Sequence, residues 1–262
     1  MPTCTLAELM ISAASEAWRN NGELLANGIG PGPRLAASLA KLSHSPELLM
    51  TDSESRLVEV PIPLGPRSGP LEGYVPQYAG RADFSRIFDM VWRGKRHAMI
   101  GPTQVDGWGQ TNLSCIGDYQ KPKSAILGVR GLPGNSISHR NSFFMPSHSK
   151  RVFVSRVDMV SGAGRDPDQW PEGQVPELLF GLVISNLGVF DFEAPVGQMR
   201  IRSLHPGVQL SEVLEQTGFP LVYDDAPRVT PMPTEDQLAL IRGLDPHDFR
   251  SKILKGNPIV EA

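Results

Sequence analysis

The sequence has 262 residues, 40% hydrophobic and 20% charged, with a formal net charge of -3. That length and mix suit one large α/β domain or two small ones with a substantial buried core. No long basic run is present, which argues against a nucleic-acid partner, and two cysteines without a Cys-x-x-Cys pair argue against a disulfide scaffold or a Cys-rich zinc site.

The start of the chain shows no basic-then-apolar leader, and no stretch approaches ~20 apolar residues, so no membrane span and a cytoplasmic location are expected. Short basic clusters, Arg93-Gly94-Lys95-Arg96 and Lys150-Arg151, read as phosphate contacts or as solvated loop charges.

Thr5-Leu6-Ala7-Glu8 is a capping box, and Leu6, Leu9, Met10, Ala13, Ala17 and Trp18 continue it at helical spacing to about Asn20. Glu23–Ala26 is a short strand candidate that runs into Gly28-Ile29-Gly30-Pro31-Gly32-Pro33. A second helix follows, with Leu35, Leu39 and Leu42 on one face. Leu48-Leu49-Met50 is the next strand. This alternation predicts an α/β fold with an open, mostly parallel sheet and flanking helices.

Residues 58–82 are rich in proline and glycine and read as a surface excursion within a single domain, 1–262. Phe84, Ile87, Phe88, Val91 and Trp92 form another helical face. Residues 98–100, 124–127 and 152–154 are short apolar runs of strand type. Residues 178–184 and 189–192 read as adjacent strands, and Met199-Arg200-Ile201-Arg202 as an edge or half-exposed strand. Two helices close the pattern, over 211–216 and from the capping box Thr234-x-x-Gln237, before a flexible tail at 246–262.

Four stretches can carry chemistry. Gly28-x-Gly30-x-Gly32 resembles a dinucleotide fingerprint, but Pro33 stands where its third glycine belongs, so a tight turn before a helix is the better reading. Ser53-Glu54-Ser55 follows the 48–50 run and is either an acid delivered to a polar loop for covalent or acid–base work, or a solvated capping turn. In the loop 101–112, Gln104, Asp106 and Asn112 can hydrogen-bond a substrate or stitch the loop to itself through Asx turns. Gly128-Val129-Arg130-Gly131-Leu132-Pro133-Gly134-Asn135 can form an oxyanion hole, cradle a pantetheine–phosphate chain, or simply connect. The six histidines show no metal-ligand spacing, and no Gly-x-Ser-x-Gly elbow or Walker motif occurs.

Taken in order, these motifs resemble the β subunit of the class I CoA-transferase family. The resemblance rests on Gly28–Gly32, Ser53-Glu54, Gln104-Val105-Asp106 with Gly109 and Asn112, Gly128–Gly131, Leu187–Phe190, Pro206-Gly207-Val208 and Thr217-Gly218-Phe219. It is most continuous with the branch that opens steroid rings as CoA thioesters in bacterial cholesterol degradation, through Gly94–His97, Lys150–Val154, Val160–Gly162 and Ser185–Phe192.

The resemblance implies an enzyme subunit that pairs with an α subunit as an α2β2 heterotetramer and acts on an acyl-CoA, with no cofactor beyond the coenzyme A of its substrate. It implies Glu54 as the catalytic acid, and Gly128, Arg130, Gly131, Gly134, Asn135, Gln104, Asp106 and Asn112 as substrate or CoA contacts. Ser55-Arg56 stand where a true transferase carries Asn-Gly, and in the hydrolase branch the main acid is implied to come from the α subunit. Three readings follow: a ring-opening hydrolase subunit, a transferase working through a Glu54 thioester, and a non-catalytic subunit that completes its partner's pocket.

Overall fold

The computed structural model describes residues 3–52, 56–66 and 72–261. In chain order these form β1 (Cys4–Thr5), α1 (Leu6–Ser15), β2 (Leu25–Gly28), α2 (Pro31–Ser43), β3 (Met50–Thr51), β4 (Arg56–Val58), β5 (Tyr78–Arg81), α3 (Phe84–Trp92) and β6 (Arg96–Ile100). Next come β7 (Gln104–Val105), β8 (Thr111–Asn112), β9 (Cys115–Ile116), β10 (Ser124–Ala125), α4 (Leu132–Ser138), β11 (Arg140–Met145), β12 (Phe180–Ser185), β13 (Gly188–Asp191) and β14 (Arg200–Leu204). The chain ends with α5 (Leu210–Gln216), β15 (Arg228–Val229), α6 (Glu235–Leu244) and β16 (Ile259–Val260). It divides into two compact units, one built from residues 1–100 and 231–262, the other from 101–230.

In the first unit β2 pairs with β6 in parallel, and Leu49 bridges Leu25 on the other side, also in parallel. α2 packs on β2, and α1 packs on α2. The Thr5 capping box forms as its sequence requires: the Glu8 N–H donates to Thr5 Oγ1 at 3.3 Å and the Thr5 N–H to Glu8 Oε2 at 3.0 Å. α1 is buried around its whole circumference from Ala7 to Ser15, not along one stripe. Burial there would raise the pKa of Glu8, but Arg242, the Thr5 N–H and Arg250 hold its carboxyl below the usual glutamate range. Residues 246–262, expected as a flexible tail, carry a 3-10 turn at Phe249–Lys252, and β16 pairs with β1. Within 58–82, Ile62 and Leu64 are buried and the Leu64 N–H donates to the Leu244 carbonyl.

In the second unit β11 and β12 are parallel, β12–β13 and β13–β14 antiparallel, and β14–β15 parallel. The chain is thus α/β with flanking helices, as expected: its central-sheet pairs are mostly parallel (β2–β6, β11–β12 and β14–β15), β12–β13 and β13–β14 are the antiparallel exceptions, and the short outlying pairs are antiparallel. β14 lies between β13 and β15 and is therefore no edge; its alternation buries Ile201 and Ser203 and leaves Arg202 out. Residues 152–154 form no strand beyond a single bridge from Phe153 to Val105, and the run at 124–127 yields only the exposed pair of β10.

The buried core of this unit contains Phe153, Phe190, Met145, Val183 and Ile184. His148 stacks on Phe153 with ring centroids 3.7 Å apart and bonds Ser185 and Thr217. Burial pushes His148 down to about 3, and it pushes His205 down to about 4, so both are neutral structural groups.

Candidate functional site

In the first unit, the carboxyl ends of β2 and β3 open onto a cleft of about 470 Å³. Ligands in open α/β sheets bind at such strand ends. Its shape follows from the glycine–proline turn. A Cβ on Gly28 would lie 2.2 Å from the Pro33 carbonyl oxygen, so only glycine lets α2 approach β2 this closely. Gly30 adopts φ +100° as the helix cap. Pro31 and Pro33 have no N–H, and that of Arg34 goes to the Gly30 carbonyl at 3.0 Å. The start of α2 therefore offers an anion at most the N–H groups of Gly30 and Gly32. The cleft is lined by Ala26–Pro31, Arg34, Met50, Thr51, Leu64, Gly65 and Phe249. Arg34 is the one ionisable side chain among these described residues, and burial lowers its pKa.

Glu54 lies outside the described residues, three positions after Thr51 of the cleft wall. Arg56, its near neighbour in sequence, pairs with Asp52 at 3.0 Å, and its guanidinium sits 4.5 Å over the Tyr78 ring.

In the second unit the polar loop is stitched to itself. Gln104 Oε1 accepts from Asn112 Nδ2 at 2.8 Å and from the Asp158 N–H at 3.0 Å. Asn112 is fully buried and also caps the turn at Ser114 and Cys115. Asp106 Oδ1 accepts from the N–H groups of Trp108 and Gln110, both at 2.9 Å. Burial nevertheless raises Asp106 to about 6. These three side chains hold the loop rather than project from it.

The glycine-rich stretch is only half a loop. Gly128, Arg130 and Gly131 all have positive φ, at 78°, 53° and 78°. Gly131 then caps α4, so Gly134 and Asn135 are helical residues: Gly134 accepts from Ser138 Oγ, and the Asn135 N–H donates to the Gly131 carbonyl. Pro133 in the first turn is the sequence signal for this helix. The two predicted segments meet at a second pocket of about 310 Å³, through Gln110 of one and Pro133 of the other, walled by Val160 and Trp170. Sequence reasoning passed over Arg34; a basic residue in the first turn after a strand-end glycine turn was its available signal.

No family model matches the sequence. The cholesterol ring-cleaving hydrolase IpdB subunit of Mycobacterium tuberculosis is 38% identical over 96% of this chain and 99% of its own length. The class I CoA-transferase β subunits are the family to which this chain belongs. A second member, from the 3-oxoadipate CoA-transferase of Pseudomonas knackmussii, is 30% identical over 91% of this chain and 92% of its own. The crystal structure of Rhodococcus jostii RHA1 IpdAB superposes with a TM-score of 0.86, at 36% identity, covering 96% of this chain and 99% of that one. Class I CoA-transferase relatives thus include both a hydrolase and a transferase. Among the described residues, no helix of this family member is long and apolar enough to cross a membrane.

Proposed function

We propose that this chain is the β subunit of a two-chain enzyme that opens a ring in a steroid-derived β-keto acyl-CoA by hydrolysis. The end-to-end 38% identity to a cholesterol ring-cleaving hydrolase subunit carries this reading. Water, deprotonated by a carboxylate, adds to a ring ketone. The C–C bond between that carbon and the α-carbon of the thioester breaks, and the electron pair passes into the thioester as an enolate. A proton returned to the α-carbon completes the addition of one water. The thioester survives, and the ring ketone becomes a carboxylate. The enolate needs donors in a site from which bulk water is excluded.

Glu54, three positions after Thr51 in the sequence, supplies a polar group to the reaction, and the principal acid comes from an α partner; the two-chain name of the relative, IpdAB, supports such a pairing, which we take as α2β2. Gly128, Arg130 and Gly131 contact coenzyme A, which enters as part of the substrate. Gly134 and Asn135 support that contact from α4, and Gln104, Asp106 and Asn112 position the loop that carries Gln110. A cytoplasmic site suits a CoA-linked substrate. Co-expression with an α subunit and incubation with a ring-ketone CoA thioester tests the reading: ring opening is expected, and acyl transfer to added succinate or acetate would refute the hydrolase assignment.

The 30% identity to a 3-oxoadipate CoA-transferase chain favours one alternative, transfer through a Glu54 glutamyl-CoA thioester. Mass spectrometry of the Glu54 peptide after hydroxylamine trapping separates the two, because only transfer leaves an adduct.

A further inference from the structure

We propose that the side-chain amide of Gln110 binds the donor–acceptor edge of the adenine of coenzyme A, in the pocket walled by Pro133, Val160 and Trp170. This rests on the proposed function and gives the nucleotide end of its substrate a place in the second unit.

Gln110 is 3% exposed, and its Oε1 has no hydrogen-bond partner among the described residues. A buried amide left without a partner is costly, and a ligand can supply one. Nearby polar groups already have partners. The Gln110 N–H donates to Asp106 Oδ1 at 2.9 Å, and the Gln110 carbonyl accepts from the Asp106 N–H at 3.1 Å. Ser161 Oγ accepts from the Leu113 N–H at 3.0 Å and lies 2.8 Å from Ser114 Oγ. Trp170 Nε1 donates to the Gly164 carbonyl at 2.9 Å, which fixes the indole. The stem of Gln110 is held as well, since a Cβ on Gly164 would stand only 2.5 Å from its Cγ. Rotation about the last side-chain bond can turn either amide atom to the pocket. A polar group on so fixed a base is preorganised for its ligand.

A side-chain amide presents an acceptor beside a donor. The adenine edge presents the complement, an exocyclic amine beside a ring nitrogen. Pro133, Val160 and the Trp170 indole suit a flat ring. At about 310 Å³ the space lies at the lower end of ligand pockets, enough for a base and too little for a whole coenzyme. The phosphates then leave the pocket with the ribose and need a cation. Arg130 stands three residues before Pro133, on the turn closed by the Leu132 N–H on the Val129 carbonyl. The pantetheine arm of coenzyme A also carries amides, so a probe without the nucleotide tells the two apart.

The test uses the co-expressed two-chain enzyme as wild type and as Gln110→Met, which keeps the length of the side chain and removes its amide. Calorimetry measures the binding of coenzyme A, of its etheno analogue, whose exocyclic amine is tied into a fused ring, and of phosphopantetheine, which has no nucleotide. Wild type is expected to bind coenzyme A about 30-fold more tightly than the etheno analogue, the worth of one bidentate amide–adenine pair. Gln110→Met removes that preference and weakens coenzyme A by about the same factor. It leaves phosphopantetheine binding unchanged, which also shows that the variant has folded. Equal binding of coenzyme A and the etheno analogue by wild type, or a preference that survives Gln110→Met, overturns the proposal. An equal loss for coenzyme A and phosphopantetheine in Gln110→Met also overturns it. A wild-type pair that shows the preference through Gln110 but never opens the ring refutes the functional reading and leaves the adenine pocket standing.

Discussion

Gly28 lies so tightly against Pro33 that a methyl group on it would sit 2.2 Å from the Pro33 carbonyl oxygen and 2.3 Å from its carbon. Both obstacles are backbone, which cannot rotate aside. This contact seats α2 on β2 and sets the floor of the cleft. Gly28→Ala is therefore expected to destabilise the first unit by about 3 kcal/mol, at the upper end of overpacking costs. Urea unfolding measures it; an unchanged midpoint would mean that α2 can retreat from β2.

The buried histidines predict acid sensitivity. His148 and His205 titrate at about 3 and about 4 in the fold, against roughly 6.5 when unfolded. Below pH ~6.5 the unfolded chain binds more protons than the folded one, so stability falls as pH falls through the window from about 6.5 to 3. Between pH 7.5 and 5.5 the loss is about 1.4 kcal/mol per histidine. Denaturant midpoints at the two pH values test this, and the pH dependence should shrink in a His148→Gln/His205→Gln double variant.

Arg130 joins a backbone cost to the proposed ligand contact. Its φ of 53° is left-handed, costing about 1 kcal/mol in a non-glycine residue. Arg130→Gly should leave stability within about 1 kcal/mol of wild type, because strain relief offsets the added freedom of the unfolded chain. If the guanidinium meets a CoA phosphate, KM for the thioester rises about tenfold, the worth of one charge-assisted hydrogen bond. An unchanged KM would remove Arg130 from the CoA contacts.

Local chemistry made much of the fold legible. Thr5 and Thr234 each cap a helix with the box their spacing encodes. Where the reading failed, tertiary context decided. α4 hid in a stretch whose glycines and single proline argue for a loop, because Gly131 serves as a cap and Pro133 lies in the first turn. The apolar run at 152–154 is buried through Phe153 without a pairing partner of strand length, and no period reveals that.

The candidate site divides in the same way. The turn at Gly28–Gly32 was readable as a strand-to-helix turn, but its consequence, Arg34 in a cleft wall, depends on how Leu64 and Phe249 return to it from distant parts of the sequence. For Gln104, Asp106 and Asn112 the sequence allowed two uses, and the hydrogen bonds within the loop take up the side chains.

The most direct measurement of the central claim is to incubate the two-chain enzyme with a ring-ketone CoA thioester in ¹⁸O-labelled water and weigh the product. Hydrolytic ring opening predicts a CoA thioester heavier by one labelled water, with the label in the new carboxylate. Free coenzyme A, a CoA thioester of an added carboxylic acid, or unchanged starting material would contradict it.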